Sequence, residues 1–131
     1  MKLIIHTDGS SRGNPGPAVS CWCIGSSEII NKKELGIHSN NYAELAAVGC
    51  GLKAVLSIPL EEQMSDIDVE VRIDSQTVYF WLGGTTPSKN VKEEEKIKEM
   101  IKRIKDIEKS FKSINYITVR RENNKADPGY I

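Results

Sequence analysis

The stretch from Ser39 to Pro59 constrains the fold more than any other. Ser39, Asn40 and Asn41 are helix N-cap types, and Leu45, Gly49, Leu52 and Leu56 step at 4, 3 and 4 before Pro59 stops the pattern. This predicts an amphipathic helix of about four turns. It lies between two β-rich runs. Glu28 to Ile37 can return as the partner of an earlier strand, and Asp68 to Ile73 alternates charged side chains with Val69, Val71 and Ile73, the period of a half-buried strand. Strand, helix and strand in succession favour a mixed sheet with parallel neighbours, right-handed crossovers and a covering of helices.

The remaining elements fit around that unit. Lys2 to Thr7 is a short β-rich run, Asp8 to Pro17 a dense turn cluster, and Ala18 to Ile24 an apolar strand, so the chain opens as an antiparallel meander. Ser75 to Leu82 forms a short helix ended by Gly83-Gly84. From Lys92 onward Ile97, Met100, Ile101, Ile104, Ile107 and Phe111 share one helical face, and Ile114 to Val119 is the last strand. With 131 residues and no repeat or linker, the chain reads as one domain over residues 1–131, large enough to bury a core without disulfides or a structural metal. Cys21, Cys23 and Cys50 show no metal-ligand spacing and read as reduced core residues. No apolar run approaches a membrane span, and Met1 to Ile5 is too short for a secretory signal, so a monomeric, cytoplasmic protein with no membrane partner is expected.

Zero net charge conceals a segregation. Residues 1–88 carry 6 basic and 10 acidic side chains, whereas residues 89–125 carry 12 and 7, so a polyanionic partner remains compatible with the basic part. Among the acidic groups, Asp8 and Asp74 each follow a predicted strand and Glu44 falls in the first turn of the long helix. If the two strands are parallel neighbours, both aspartates reach the crevice at the carboxyl edge of the sheet, and Glu44 can point into it. Carboxylates at close range suit a hard divalent cation such as Mg²⁺, and with it phosphoryl chemistry. Spacing alone also allows a plainer reading, since Asp is an ordinary turn former and Glu in a first helical turn favours the helix dipole.

Four stretches add to this: Thr7-Asp8-Gly9-Ser10-Ser11-Arg12-Gly13-Asn14-Pro15-Gly16-Pro17, Asn40-Asn41-Tyr42-Ala43-Glu44-Leu45, Ile73-Asp74-Ser75-Gln76 and Arg121-Glu122-Asn123-Asn124-Lys125-Ala126-Asp127. In this order they resemble the signature motifs of type 1 ribonuclease H, the last in its Arg-Glu-Asn-x-x-Ala-Asp variant. The resemblance implies a ribonuclease H-like α/β fold with a five-stranded sheet in the order 3-2-1-4-5. It also implies endonucleolytic cleavage of the RNA strand of an RNA/DNA hybrid, leaving 5′-phosphate and 3′-hydroxyl ends. The family's catalytic and metal-binding carboxylates map onto Asp8, Glu44, Asp74 and Asp127. Two Mg²⁺ or Mn²⁺ ions, bridged by Asp8, are implied as cofactors, one activating the attacking water and one stabilising the leaving oxygen. Positions corresponding to substrate contacts are Gly9, Ser10, Asn14, Asn41 and Gln76. Their backbone groups and amides would read ribose 2′-hydroxyls in the wide minor groove.

The chain departs from the family pattern in places. Tyr42 stands where a basic residue is often found, no histidine occupies the final loop, and neither His6 nor His38 is assigned a role. The basic insertion of some members is missing. Lys98, Lys102, Lys105, Lys109 and Lys112 instead form a stripe on the helix after the short Gly83 to Asn90 loop; it could follow a DNA phosphate backbone, but the i,i+4 pairs Glu94–Lys98, Glu99–Arg103 and Glu108–Lys112 favour an ordinary solvated face. Only Pro128 to Ile131 follow Asp127, too few for the usual C-terminal helix, so Asn123 to Ile131 is expected to be poorly ordered and Asp127 to contribute less than the other carboxylates. Two rivals stand beside this reading: a hybrid-binding module without turnover, and a ribonuclease H-like nuclease acting on DNA.

Overall fold

A computed structural model describes residues 1–127. The strands are β1 (Lys2–Ser11), β2 (Gly16–Ile24), β3 (Asn31–His38), β4 (Asp68–Ile73) and β5 (Ser113–Thr118), and the helices are α1 (Asn40–Leu56), α2 (Gln76–Leu82) and α3 (Glu94–Glu108). They form one sheet in the order β3-β2-β1-β4-β5, with β1–β2 and β2–β3 antiparallel and β1–β4 and β4–β5 parallel. The expected sheet order is therefore present. The expectation of a missing C-terminal helix concerns residues 128–131, which lie outside the described part. Among the described residues no helix is long and apolar enough to cross a membrane.

Two boundaries differ from the sequence reading in ways that matter. The first strand does not stop at Thr7. Its pairing with β2 continues to Ser11 opposite Ala18, while its pairing with β4 ends at His6 opposite Arg72. Antiparallel partners joined by a short loop can stay paired up to the turn, whereas β4 leaves the ladder to enter α2. Asp8 thus sits on a strand still held on one side and already free of β4 on the other. At the far end of the chain, α3 begins at Glu94 rather than Lys92, because Glu93 takes a left-handed conformation with φ 60 and ψ 35.

The core lies between the sheet and α1, with Ile5, Val69, Val71 and Ile73 meeting Leu45, Val48, Leu52 and Val55. The helix is less amphipathic than its leucines suggest. Ala43, Ala46, Ala47 and Gly49 are buried as well, whereas Leu56 is exposed, because α3 packs against the side of α1 turned away from the sheet. Small side chains allow both neighbours to approach. Cys21 and Cys23 are free and buried, as expected, and Cys50 is half-buried.

Gly9 marks the close junction between β1 and α1. A Cβ there would stand 2.2 Å from the Ala43 carbonyl carbon and 2.4 Å from the Glu44 nitrogen, both backbone atoms that cannot rotate away. The neighbouring strand secures the same turn, with Ser20 Oγ donating to the Ala43 carbonyl at 2.7 Å. Gly9→Ala should therefore destabilise the fold by about 1–3 kcal/mol. Ser10→Ala, on the exposed next position, should change it by about 0.5 kcal/mol or less. Denaturant melts of the two variants make the comparison.

Candidate active site

The strand ends and α1 converge at the carboxyl edge of β1 and β4. Asp8 lies two residues beyond the last β1–β4 pair, and Asp74 directly follows β4, next to Ser75, whose hydroxyl caps α2 by accepting from the Val78 N–H at 3.1 Å. Glu44 is the fifth residue of α1, one turn further in than the sequence reading placed it, because Ser39 is the cap and the helix begins at Asn40. Asp127 enters from the segment after β5. Carboxylate oxygens of Asp8, Asp74 and Asp127 lie within 4.8 Å of one another. Glu44 joins the group through hydrogen bonds to Asp74 and Ser75.

The electrostatics are those of crowded like charges. Burial, then the nearby Asp74 and Asp127, push the Asp8 carboxyl up to about 7. Burial, Asp74 and Asp8 push Glu44 up to about 9, so at neutral pH it is protonated and donates to the Asp74 carboxylate. Burial and Asp127 raise Asp74 as well. One cation relieves the cluster: the Arg121 Nε stands 2.6 Å from Asp127 Oδ2, and its charge acts in the opposite sense on Asp8. Oxygen-only donors with excess negative charge, on a rigid sheet edge, match what a hard divalent cation requires.

A crevice of about 770 Å³ opens over these groups. Of the residues expected to contact a substrate, Gly9, Ser10 and Gln76 line it; Asn14 and Asn41 do not, and Asn40 does. Asn40 was missed in the sequence, where three consecutive cap-type residues offered no means of ranking it. Its side chain accepts from the Ser11 N–H at 2.8 Å, and its own N–H donates to Asn14 Oδ1 at 3.1 Å, so Asn14 is engaged in holding the first loop to α1. The lysine stripe of α3 is largely spent on the protein itself: Lys98 pairs with Glu94, Lys105 with Glu108 and the Leu82 carbonyl, and Lys109 with Asp106. It is a solvated face, as expected.

The expectation of a loose Asp127 is not met. Asn124 is fully buried, and its Nδ2 donates to the Thr7 carbonyl at 2.8 Å, one residue past the last β1–β4 pair. Its Oδ1 accepts from the Ala126 N–H, and the Asp127 N–H reaches the Asn124 carbonyl. A buried asparagine therefore ties the segment to β1, and Asp127 itself is buried. The ground for treating Asp127 as the weakest carboxylate is removed. The sequence signal was hidden because Asn123 and Asn124 are adjacent and only the second is the tether.

The fold and this cluster define an α/β protein with a carboxylate cluster that could hold a metal ion at the carboxyl edge of a mixed sheet. The chain belongs to the ribonuclease H family, whose RNase H family model matches residues 1–127. It is 30% identical over 129 residues to the bifunctional protein Rv2228c of Mycobacterium tuberculosis, a match covering 95% of this chain and 33% of that protein. The chain spans about a third of the length of the curated relatives it matches. Its fold is similar to RNase H1 of the halophilic archaeon Halobacterium salinarum, with TM-score 0.80, 26% identity, and coverage of 96% of this chain and 91% of that one. It is also similar to LC11-RNase H1 solved in complex with an RNA/DNA hybrid, with TM-score 0.74, 29% identity, and coverage of 93% and 88%.

Two predictions follow from the charges and the tether. In chelator, thermal stability should fall as pH rises from about 6.5 to 9. Through that window Glu44, and in its lower part Asp8 as well, hold protons that the unfolded chain has released, and both lose them as pH rises. Below it the buried His6, lowered to about 4, works with the opposite sign. Asp8→Asn should flatten the slope and raise the melting temperature at pH 8 by roughly 4 °C or more; a profile that rises through the window in scanning calorimetry refutes the clustering. Asn124→Ala should cost about 1–3 kcal/mol, since the Thr7 carbonyl loses its buried donor, and should speed hydrogen exchange at the Asp127 amide.

Proposed function

We propose that this chain is a metal-dependent endoribonuclease that hydrolyses the RNA strand of RNA/DNA hybrids, leaving 5′-phosphate and 3′-hydroxyl ends. The observation that carries the reading is the convergence of Asp8, Asp74 and Asp127 within 4.8 Å, with Glu44 bonded to Asp74, in an open crevice. Family membership and the hybrid-bound LC11-RNase H1 support it. The residues that would hold the metal, two Mg²⁺ or Mn²⁺ ions in this reading, are Asp8, Glu44, Asp74 and Asp127. When bound, divalent ions supply Lewis acidity toward the scissile phosphate and offset the charge that develops there.

The chain's own contribution is position and selection. Asp8 and Asp74 are set by paired strands and Asp127 by the Asn124 tether, so little reorganisation is needed when charge is neutralised. Glu44 would have to release its proton to serve as a ligand, so metal affinity should rise with pH. Gly9, Ser10 and Gln76 face the crevice where ribose 2′-hydroxyls would lie; Asn14, in the β1–β2 loop bonded to Asn40, and Asn41, in the first turn of α1, do not line it. Hydroxyl contacts in a minor groove separate RNA from DNA at the cleaved strand. The three free cysteines suit a reducing compartment, consistent with a cytoplasmic, monomeric enzyme.

The test is cleavage of a labelled RNA/DNA hybrid with Mg²⁺ or Mn²⁺, against double-stranded DNA and double-stranded RNA. Hybrid cleavage within the RNA strand, abolished in Asp8→Asn while hybrid binding persists, is the expected outcome. Binding without turnover would establish a hybrid-binding module, and cleavage of duplex DNA a different nuclease. Gln76→Ala should weaken transition-state binding by about 1–3 kcal/mol, and a 2′-deoxy substitution beside the scissile phosphate should blunt that loss.

A further inference from the structure

Glu93 is the only residue other than glycine with positive φ among the described residues. Glycine adopts that conformation without steric cost, so a glutamate there is held by what its side chain does. Both carboxylate oxygens are engaged on the start of α1. Oε1 accepts from the Ser39 N–H at 2.5 Å, and Oε2 lies 2.8 Å from His38 Nδ1. The His38 ring in turn stacks on Tyr42, centroids 4.0 Å apart, and Ser39 Oγ caps α1 by accepting from the Tyr42 N–H.

The clasp reaches the site in one further step. Ser39 is followed by Asn40, which lines the crevice and holds Ser11 and Asn14 of the first loop. Lys92, next to Glu93, donates to the Asn14 carbonyl. The segment before α3 therefore grips both α1 and the β1–β2 loop, the two pieces of chain that must keep register for Gly9, Ser10 and Asn40 to face one substrate strand. Ser39 is buried and Glu93 only slightly exposed, so water does not compete freely for these bonds.

Resting on the hybrid-cleaving function proposed above, we propose that Glu93 is a positioning residue for substrate. Its carboxylate, fixed by a left-handed backbone, locks the start of α1 against the first loop and so sets the affinity for the hybrid without touching the reacting atoms. A backbone role and a side-chain role make opposite forecasts for Glu93→Gly. Glycine suits the left-handed φ, so a residue kept only for its backbone would be replaced at no loss of binding.

The experiment compares the wild-type chain with Glu93→Gly, Glu93→Gln and, as a control on the exposed face of α3, Glu99→Gln. Steady-state hybrid cleavage and amide hydrogen exchange of the free protein are measured for each. Glu93→Gly should keep its melting temperature within a few degrees, lose protection at the Ser39 amide, and raise KM fivefold or more with kcat within twofold. Glu93→Gln keeps an acceptor for the Ser39 N–H and should recover most of the KM; Glu99→Gln should match wild type. If Glu93→Gly loses the Ser39 protection yet keeps its KM, or if kcat falls while KM stays, the proposal is overturned. Should Glu93→Gly not fold, an unchanged KM in Glu93→Gln, with Ser39 protection lost, overturns it equally. A wild-type chain that leaves the hybrid intact refutes the functional reading itself, and this inference with it, which sets that failure apart from a failure of the clasp.

Discussion

Mutual repulsion of carboxylates at the fork between β1 and β4 is the condition that the surrounding structure has to withstand. Bringing Asp8, Asp74 and Asp127 within 4.8 Å works against folding, as the raised carboxyls of Asp8, Glu44 and Asp74 record. Stability must come from elsewhere. It comes from an apolar layer under the site, where Ile5, Val71 and Ile73 meet Leu45 and Val48, and from backbone contact so close at Gly9 that no side chain fits. The charges are tolerated because the elements that carry them are fastened to one another, β1 to β4 by pairing, β1 to α1 at Gly9 and the Asp127 segment to β1 through Asn124.

Helix α1 links these two regimes. Along most of its length it is core, packed between sheet and α3 with alanine and glycine on the crowded sides; at its beginning it is a polar junction where His38, Ser39 and Asn40 meet the segment before α3 and the β1–β2 loop. The division explains the composition of this 17-residue helix. Bulky residues at Ala43 or Ala47 would move the same helix that carries Glu44, so packing and chemistry share one rigid body.

Much of this was legible in the chain. The alternation of Val69, Val71 and Ile73 marked β4, the Leu45 to Leu52 spacing marked α1, and the four motifs placed the acidic residues in one crevice. What escaped were effects decided by partners distant in sequence. No local pattern says that β1 keeps β2 as a partner to Ser11 after losing β4 at His6, and none separates Asn124 from Asn123. The left-handed turn at Glu93 was equally hidden, because its reward lies in His38 and Ser39, some fifty residues earlier. Leu56 shows the converse: a residue with the right spacing that ends exposed as the last residue of α1.

The Asn124 tether has a consequence for how the molecule is made. It joins residues 117 apart in sequence, and the carboxylate it fixes lies three positions later. All five strands and three of the four carboxylates precede Asn124 in the chain, so the Thr7 carbonyl waits for its donor and the cluster for its last member until that segment docks. Contacts of such span are among the slowest to form. The acidic centre is thus completed only when Asn124 docks on β1 and brings Asp127 with it, and a sheet formed before that step lacks the assembled site.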